Sequence, residues 1–135
     1  MRHEHPVQLR WSDPDSYGHV NHARALSLLE DARLALAGNS PSSGPGRQPD
    51  IILARLEVDY LRQLYYRVGE VLTVQSWVAR IGTKSFTVRQ ELIQDDAPAI
   101  RADGICVVFD IATDTSRALT DDERAHWSRF TAPTE

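Results

Sequence analysis

The spacing of apolar and polar residues changes period twice along this chain. Val7, Leu9 and Trp11 alternate with Gln8 and Arg10, which predicts a short strand running into the turn residues Ser12 to Gly18. From Val20 to Ala37 the repeat lengthens. Ala25, Leu28, Leu29, Ala32 and Leu36 stand at i, i+3, i+4, i+7 and i+11, one stripe of a helix of about five turns, while Arg24, Glu30, Asp31 and Arg33 lie largely elsewhere. Gly38 suits its end, and the Pro, Gly and Ser of the segment from Asn39 to Pro49 predict a loop inside the same domain. Period two then returns at Ile52, Ala54, Leu56, Val58 and Tyr60, and three further β-type runs follow over Val71 to Ile81, Ser85 to Gln94 and Ala99 to Ile111. Their separators, Gly82-Thr83-Lys84 and Asp95-Asp96-Ala97-Pro98, have hairpin lengths and predict a four-stranded antiparallel meander. Thr120-Asp121-Asp122-Glu123 has the form of a capping box and starts a short helix to about Ser128. The reading is one α+β domain over residues 1–135, in which a curled antiparallel sheet of about five strands wraps one long helix.

Composition narrows the function. A chain of 135 residues with 41% hydrophobic and 25% charged residues can bury one core. Fifteen Lys and Arg against nineteen Asp and Glu give a net charge of −4, so neither nucleic acid nor an anionic membrane is expected as a partner. The single cysteine, Cys106, lies in the apolar run Ile105 to Phe109 and reads as a buried thiol in a reducing compartment. No apolar stretch suits a signal peptide or a membrane span, and the expected location is the cytoplasm.

Several motifs fail on their own chemistry. Gly44-Pro45-Gly46 opens like a dinucleotide loop but has Pro49 in place of the third glycine. Gly82-Thr83-Lys84-Ser85 has a strand after it where a phosphate loop needs a helix. Asp13-x-Asp15-x-Tyr17-Gly18 starts like a calcium loop, yet Arg24 occupies the twelfth position. The pairs His3/His5 and His19/His22 have no cysteine support, and no metal is expected. What remains is Asp13 to Asn21, directly before the long helix, where carboxylates and an imidazole stand beside free backbone amides. A carboxylate there can attack a carbonyl or deprotonate water, with the amides and helix dipole stabilising the oxyanion. The same residues also suit Asx turns and a helix cap by Asn21.

The segment Arg10-Trp11-Ser12-Asp13-Pro14-Asp15-Ser16-Tyr17-Gly18-His19-Val20-Asn21, with Glu30 and Arg33 on the helix and Lys84-Ser85-Phe86 on a later strand, resembles the signature of hot-dog-fold acyl-CoA thioesterases of the 4-hydroxybenzoyl-CoA thioesterase-like family. The resemblance covers most of the chain. It implies hydrolysis of an acyl-CoA substrate with Asp15 as nucleophile or general base, the backbone amide near His22 as oxyanion donor, and His19 and Asn21 ordering the turn. Asp13 shapes the loop, and related enzymes offer a helix-borne Glu, here Glu30. Arg80 and Lys84 flank the hairpin where related enzymes bind the nucleotide, and Tyr17 is among the aromatic residues that suit an acyl pocket. No cofactor is implied. The fold implies self-association as a dimer or dimer of dimers with the site at the interface. Two other readings fit the same fold. One is an enoyl-thioester hydratase or dehydratase, whose Asp-to-His spacing of five contrasts with four from Asp15 to His19 and six from Asp13. The other is a non-catalytic acyl-CoA-binding protein.

Overall fold

Asn21 fixes where the long helix begins. In the computed structural model, which describes residues 1–38 and 50–131, Asn21 Oδ1 accepts the amide of Ala23 at 2.9 Å from an extended backbone, so helix α1 spans His22–Ala37. Its stripe is as the periodicity predicts: Ala25, Leu28, Leu29, Ala32 and Leu36 are all buried. The expected loop from Asn39 to Pro49 lies outside the described residues. The strands are β1 (His3–Gln8), β2 (Ile51–Tyr60), β3 (Val71–Ile81), β4 (Ser85–Gln94), β5 (Ala97–Asp110) and the short β6 (Thr115–Ser116), and helix α2 is Asp121–Ser128. The capping box of α2 is complete: Thr120 Oγ1 accepts from Glu123 N–H at 3.1 Å and Glu123 Oε1 accepts from Thr120 N–H at 2.9 Å.

Three expectations need correction. The first strand sits nearer the start of the chain than Val7 to Trp11, because the backbone of Arg10 turns away from the sheet to bond Asp13 and leaves Trp11 82% exposed. Val7 and Leu9 still point inward, as the alternation required. The second concerns topology: the sheet order is β1-β3-β4-β5-β2, so only β3, β4 and β5 form the meander, and β2 pairs with β5 from Ile51↔Val108 to Tyr60↔Ile100. Alternation along a strand shows which side is apolar and says nothing about the neighbour. The β4–β5 turn is also tighter than expected. Asp95 and Asp96, at φ 55° and 60°, form a two-residue hairpin connection, and Ala97 and Pro98 belong to β5.

Helix α1 lies in the hollow of the sheet. Its N-terminal half packs with Leu72, Val74, Leu92 and Ile100, and its C-terminal end meets Val78, Phe86, Val108 and Trp127. Phe86 and Trp127 stack at 4.1 Å, which ties α2 to the sheet. Burial of each such side chain is worth about 1.5–3 kcal/mol. The inward phase of β4 also carries two polar residues, Gln90 and Gln94, both 1% exposed.

Around Phe130 two histidines are held with a buried ring nitrogen lacking a hydrogen-bond partner, His3 Nδ1 and His126 Nε2. Burial lowers the pKa of both; His5 adds to the effect at His3, while at His126 a bond to the Leu36 backbone opposes it and Arg129 adds to it. The unfolded chain therefore takes up these protons first. Stability is expected to be full above the ordinary histidine pKa of about 6.5 and to fall as the pH drops through the lower folded values. Melting temperatures between pH 7 and pH 5 test this: the drop should shrink in His126→Phe, and an unaltered slope would remove the histidine from the account.

Candidate active site

The loop before α1 is built by its own carboxylates. Asp13 is buried: its Oδ2 accepts the Arg10 amide at 2.7 Å, and its carbonyl accepts from Asn21 N–H at 3.1 Å. Asp15 is exposed, and its Oδ1 accepts from the amides of Tyr17 (2.9 Å) and His19 (3.2 Å) in an Asx-type turn. Its backbone is bonded too, through Asp15 N–H to the His19 carbonyl at 2.7 Å and Gly18 N–H to the Asp15 carbonyl at 3.1 Å. Gly18 has φ +78°, a left-handed conformation that glycine adopts without strain. One oxygen of Asp15 is thus fixed by the turn, and the other accepts from no described group.

Asp15 borders a cavity of about 630 Å³ shared with Asn21, His22, Tyr60, Arg62 and Ile100. That volume lies in the usual range for small-molecule sites. The N-terminus of α1 opens here: Asn21 caps Ala23 N–H, whereas the amide of His22 has no acceptor among the described residues. The His22 ring stands edge-on to Tyr60 at 6.1 Å. Asp15, His22 with its free helix amide, and the positive end of a helix dipole therefore border one space.

The other expected residues lie around or away from this cavity. The His19 ring packs edge-on to Tyr65 at 5.1 Å, and Tyr17 is 79% exposed beside it; neither lines the cavity. Glu30 and Arg33 border a different opening. Arg80 and Lys84 sit at the far end of the sheet, since Lys84 accepts from Val108 N–H while the cavity ends at Ile100. Eight residues of strand at about 3.3 Å each separate these levels by roughly 25 Å.

Two positioning residues escaped the sequence reading. Gln94 clamps the segment opposite the loop, donating to the Tyr65 carbonyl at 2.9 Å and to Glu70 at 2.8 Å, and accepting from Tyr65 N–H at 3.0 Å. Arg62 donates to the carbonyls of Gln94 and Ala97. Val20 N–H to the Leu64 carbonyl (2.8 Å) and Tyr66 N–H to the Gly18 carbonyl (3.2 Å) join this segment to the Asp15 loop. The available signal was a glutamine at an inward position of β4.

Cys106 is buried with its thiol pKa pushed up to about 11, which makes it a poor nucleophile. Among the described residues no cluster of three His, Cys, Asp or Glu could hold a metal ion, and no helix is long and apolar enough to cross a membrane.

Comparison with known proteins agrees with this architecture. The chain is similar to a predicted thioesterase from Bacillus stearothermophilus, at 25% identity over 100% of both chains with a TM-score of 0.87. It is also similar to a thioesterase from Thermus thermophilus solved with coenzyme A and Zn, at 27% identity over 91% of this chain and 94% of that one, TM-score 0.78. The hypothetical protein SAV2348 from Staphylococcus aureus, solved in complex with CoA, shares the fold at 16% identity, TM-score 0.84, over 100% of this chain and 89% of that one. Among curated proteins none matches the sequence significantly. The sequence model of the thioesterase-like superfamily matches residues 9–130, a span that holds the Asp15 loop, the capped helix and the whole meander. With its curled antiparallel sheet and central helix, the chain belongs to the thioesterase-like superfamily and has the hot-dog fold.

Proposed function

We propose that the protein hydrolyses acyl-CoA thioesters to the free acid and coenzyme A, with Asp15 as the acting carboxylate. The observation that carries this is the half-engaged Asp15: one oxygen is held by two backbone amides, the other accepts from no described group, and the residue borders the cavity at the N-terminus of α1. A thioester carbonyl seated there would find the His22 amide as oxyanion donor and Asp15 as nucleophile or as base for a water. The carbon–oxygen bond to water forms, the carbon–sulfur bond breaks, and the thiolate leaves to be protonated. His19, packed on Tyr65, and Asn21, the helix cap, hold the loop in place. The coenzyme A present in two similar structures supports this substrate class.

The active form is proposed to be a dimer joined along β2. Both edges of the described sheet are open, but β1 carries Pro6 and two histidines, while β2 exposes Ile52, Leu53 and Tyr60 along an edge with a single bulge. Pairing β2 with itself about a two-fold axis reverses its ends. The partner's far end, with its Arg80 and Lys84, then comes beside the Asp15 cavity, which answers the roughly 25 Å separation within one chain.

Release of free thiol across an acyl-CoA panel tests the reading. Turnover supports it; hydration without thiol release, or saturable binding without turnover, overturns it. Arg80→Ala and Lys84→Ala should raise KM with kcat little changed, most clearly at low salt, because a phosphate contact distant from the carbonyl acts as uniform binding. An unchanged KM in the double variant would assign both residues to solvent.

A further inference from the structure

A second cavity on the helix face lies between the C-terminal half of α1, β2 and α2. It has a volume of about 140 Å³ and is lined by Leu34, Leu53, Phe86 and Trp127, with Glu30 and Arg33 at its border. An apolar cavity of about 150 Å³ holds one benzene ring. Gly104 backs two of the lining residues, since a Cβ there would come 3.0 Å from Leu53 Cδ1 and 3.9 Å from Arg33 Cδ. Arg33 is half-buried and donates to Gln90 Oε1 at 3.0 Å. Gln90 is itself fixed by donating to the Leu29 carbonyl (2.9 Å) and Ser76 Oγ (3.1 Å). A guanidinium has five N–H donors, of which the described hydrogen bonds engage one in Arg33, and the Glu30 carboxylate acts on it as a nearby negative charge. Donors therefore remain for a ligand in a pocket whose other lining, Glu30 apart, is mainly apolar. Glu30 borders the same space, so its negative charge opposes a carboxylate ligand.

We infer that this cavity receives the far end of the acyl group, and that it selects a compact tail carrying a neutral oxygen acceptor near its tip. The inference rests on the proposed dimeric thioesterase. In that dimer the two α1 helices run antiparallel in one hollow, so the partner's cavity adjoins this chain's Asp15 and a short acyl group spans the two. A volume of about 140 Å³ suits a single ring or a short tail. Arg33 is then a specificity-determining residue, while Phe86 and Trp127 set the length limit.

The test compares the wild-type dimer with Arg33→Gln and Arg33→Lys on pentanoyl-, 4-oxopentanoyl-, succinyl- and dodecanoyl-CoA. The wild type should show kcat/KM for the 4-oxo substrate at least about tenfold above the other three, the effect of one hydrogen bond from a charged donor. The ratio of 4-oxopentanoyl to pentanoyl should fall towards one in Arg33→Gln and recover in part in Arg33→Lys, which a purely structural role would not produce. A preference for the dodecanoyl or succinyl substrate in the wild type overturns the inference even if neither variant folds, and so does a ratio untouched by Arg33→Gln. If no thioester is cleaved, ligand-observed NMR with 4-oxopentanoate and pentanoate decides separately. Tighter binding of the oxo acid that Arg33→Gln abolishes keeps the pocket and discards the hydrolase, and equal binding discards the pocket.

Discussion

Asp15→Asn should lower kcat by at least about a hundredfold while leaving the fold intact, since loss of general-base assistance alone costs roughly 10²–10⁴-fold. The geometry makes this substitution informative. The side-chain oxygen that accepts from Tyr17 and His19 is kept in asparagine, so the Asx turn and the neighbouring start of α1 persist. The group that changes is the second oxygen, which accepts from no described group and becomes an amide unable to attack a carbonyl or take a proton. Asp13→Asn is the internal control. Asp13 is 1% exposed and both of its oxygens face Arg10, so its loss should appear mainly in thermal stability. Turnover and melting temperature measured on both variants decide the assignment. Small and equal losses of kcat would make Asp15 a turn residue only, and a greater loss at Asp13 without unfolding would move the chemistry to the buried acid.

The parts of this molecule legible in its sequence are those set by local rules. The α1 stripe, the Asn21 cap and the Thr120 capping box follow from period and side-chain chemistry, and each is present where those rules put it. The path of β2 was not legible, because an alternating strand pairs equally well with either neighbour until the chain between Leu61 and Glu70 carries it across the sheet. The start of β1 was missed for a related reason: His3, Glu4 and His5 carry no apolar signal, and their strand exists through backbone bonds to β3. At the site, the Asp15 loop was visible as a motif, whereas its support was not. Gln94 and Arg62 act through backbone carbonyls of residues distant in sequence, contacts that no spacing encodes. The arrangement of Arg80 and Lys84 is of the same kind. A sequence can place them on a hairpin, but which end of which sheet that hairpin approaches depends on how two edges meet.

Ile52→Asp should both dissociate the protein and abolish its turnover. Ile52 is an apolar residue 47% exposed on β2, the edge proposed to pair with a second copy. A two-fold interface meets each substitution twice, and burying an unpaired charge costs several kcal/mol per ion, enough to weaken dimerisation by more than about a hundredfold. In the separated chain Ile52 is already at the surface, so the subunit should keep its helical and sheet signature in circular dichroism and unfold cooperatively. Loss of activity by a folded monomer then reports an incomplete site: Asp15 without the partner's basic hairpin and acyl pocket. Val68→Asp supplies the comparison, because Val68 is 87% exposed in the segment between β2 and β3 and a charge there adds nothing to the proposed edge. Light scattering with a parallel thiol-release assay reads both effects. A wild-type protein that is fully active at 15.2 kDa, or an Ile52→Asp monomer with undiminished turnover, would return the whole site to a single chain.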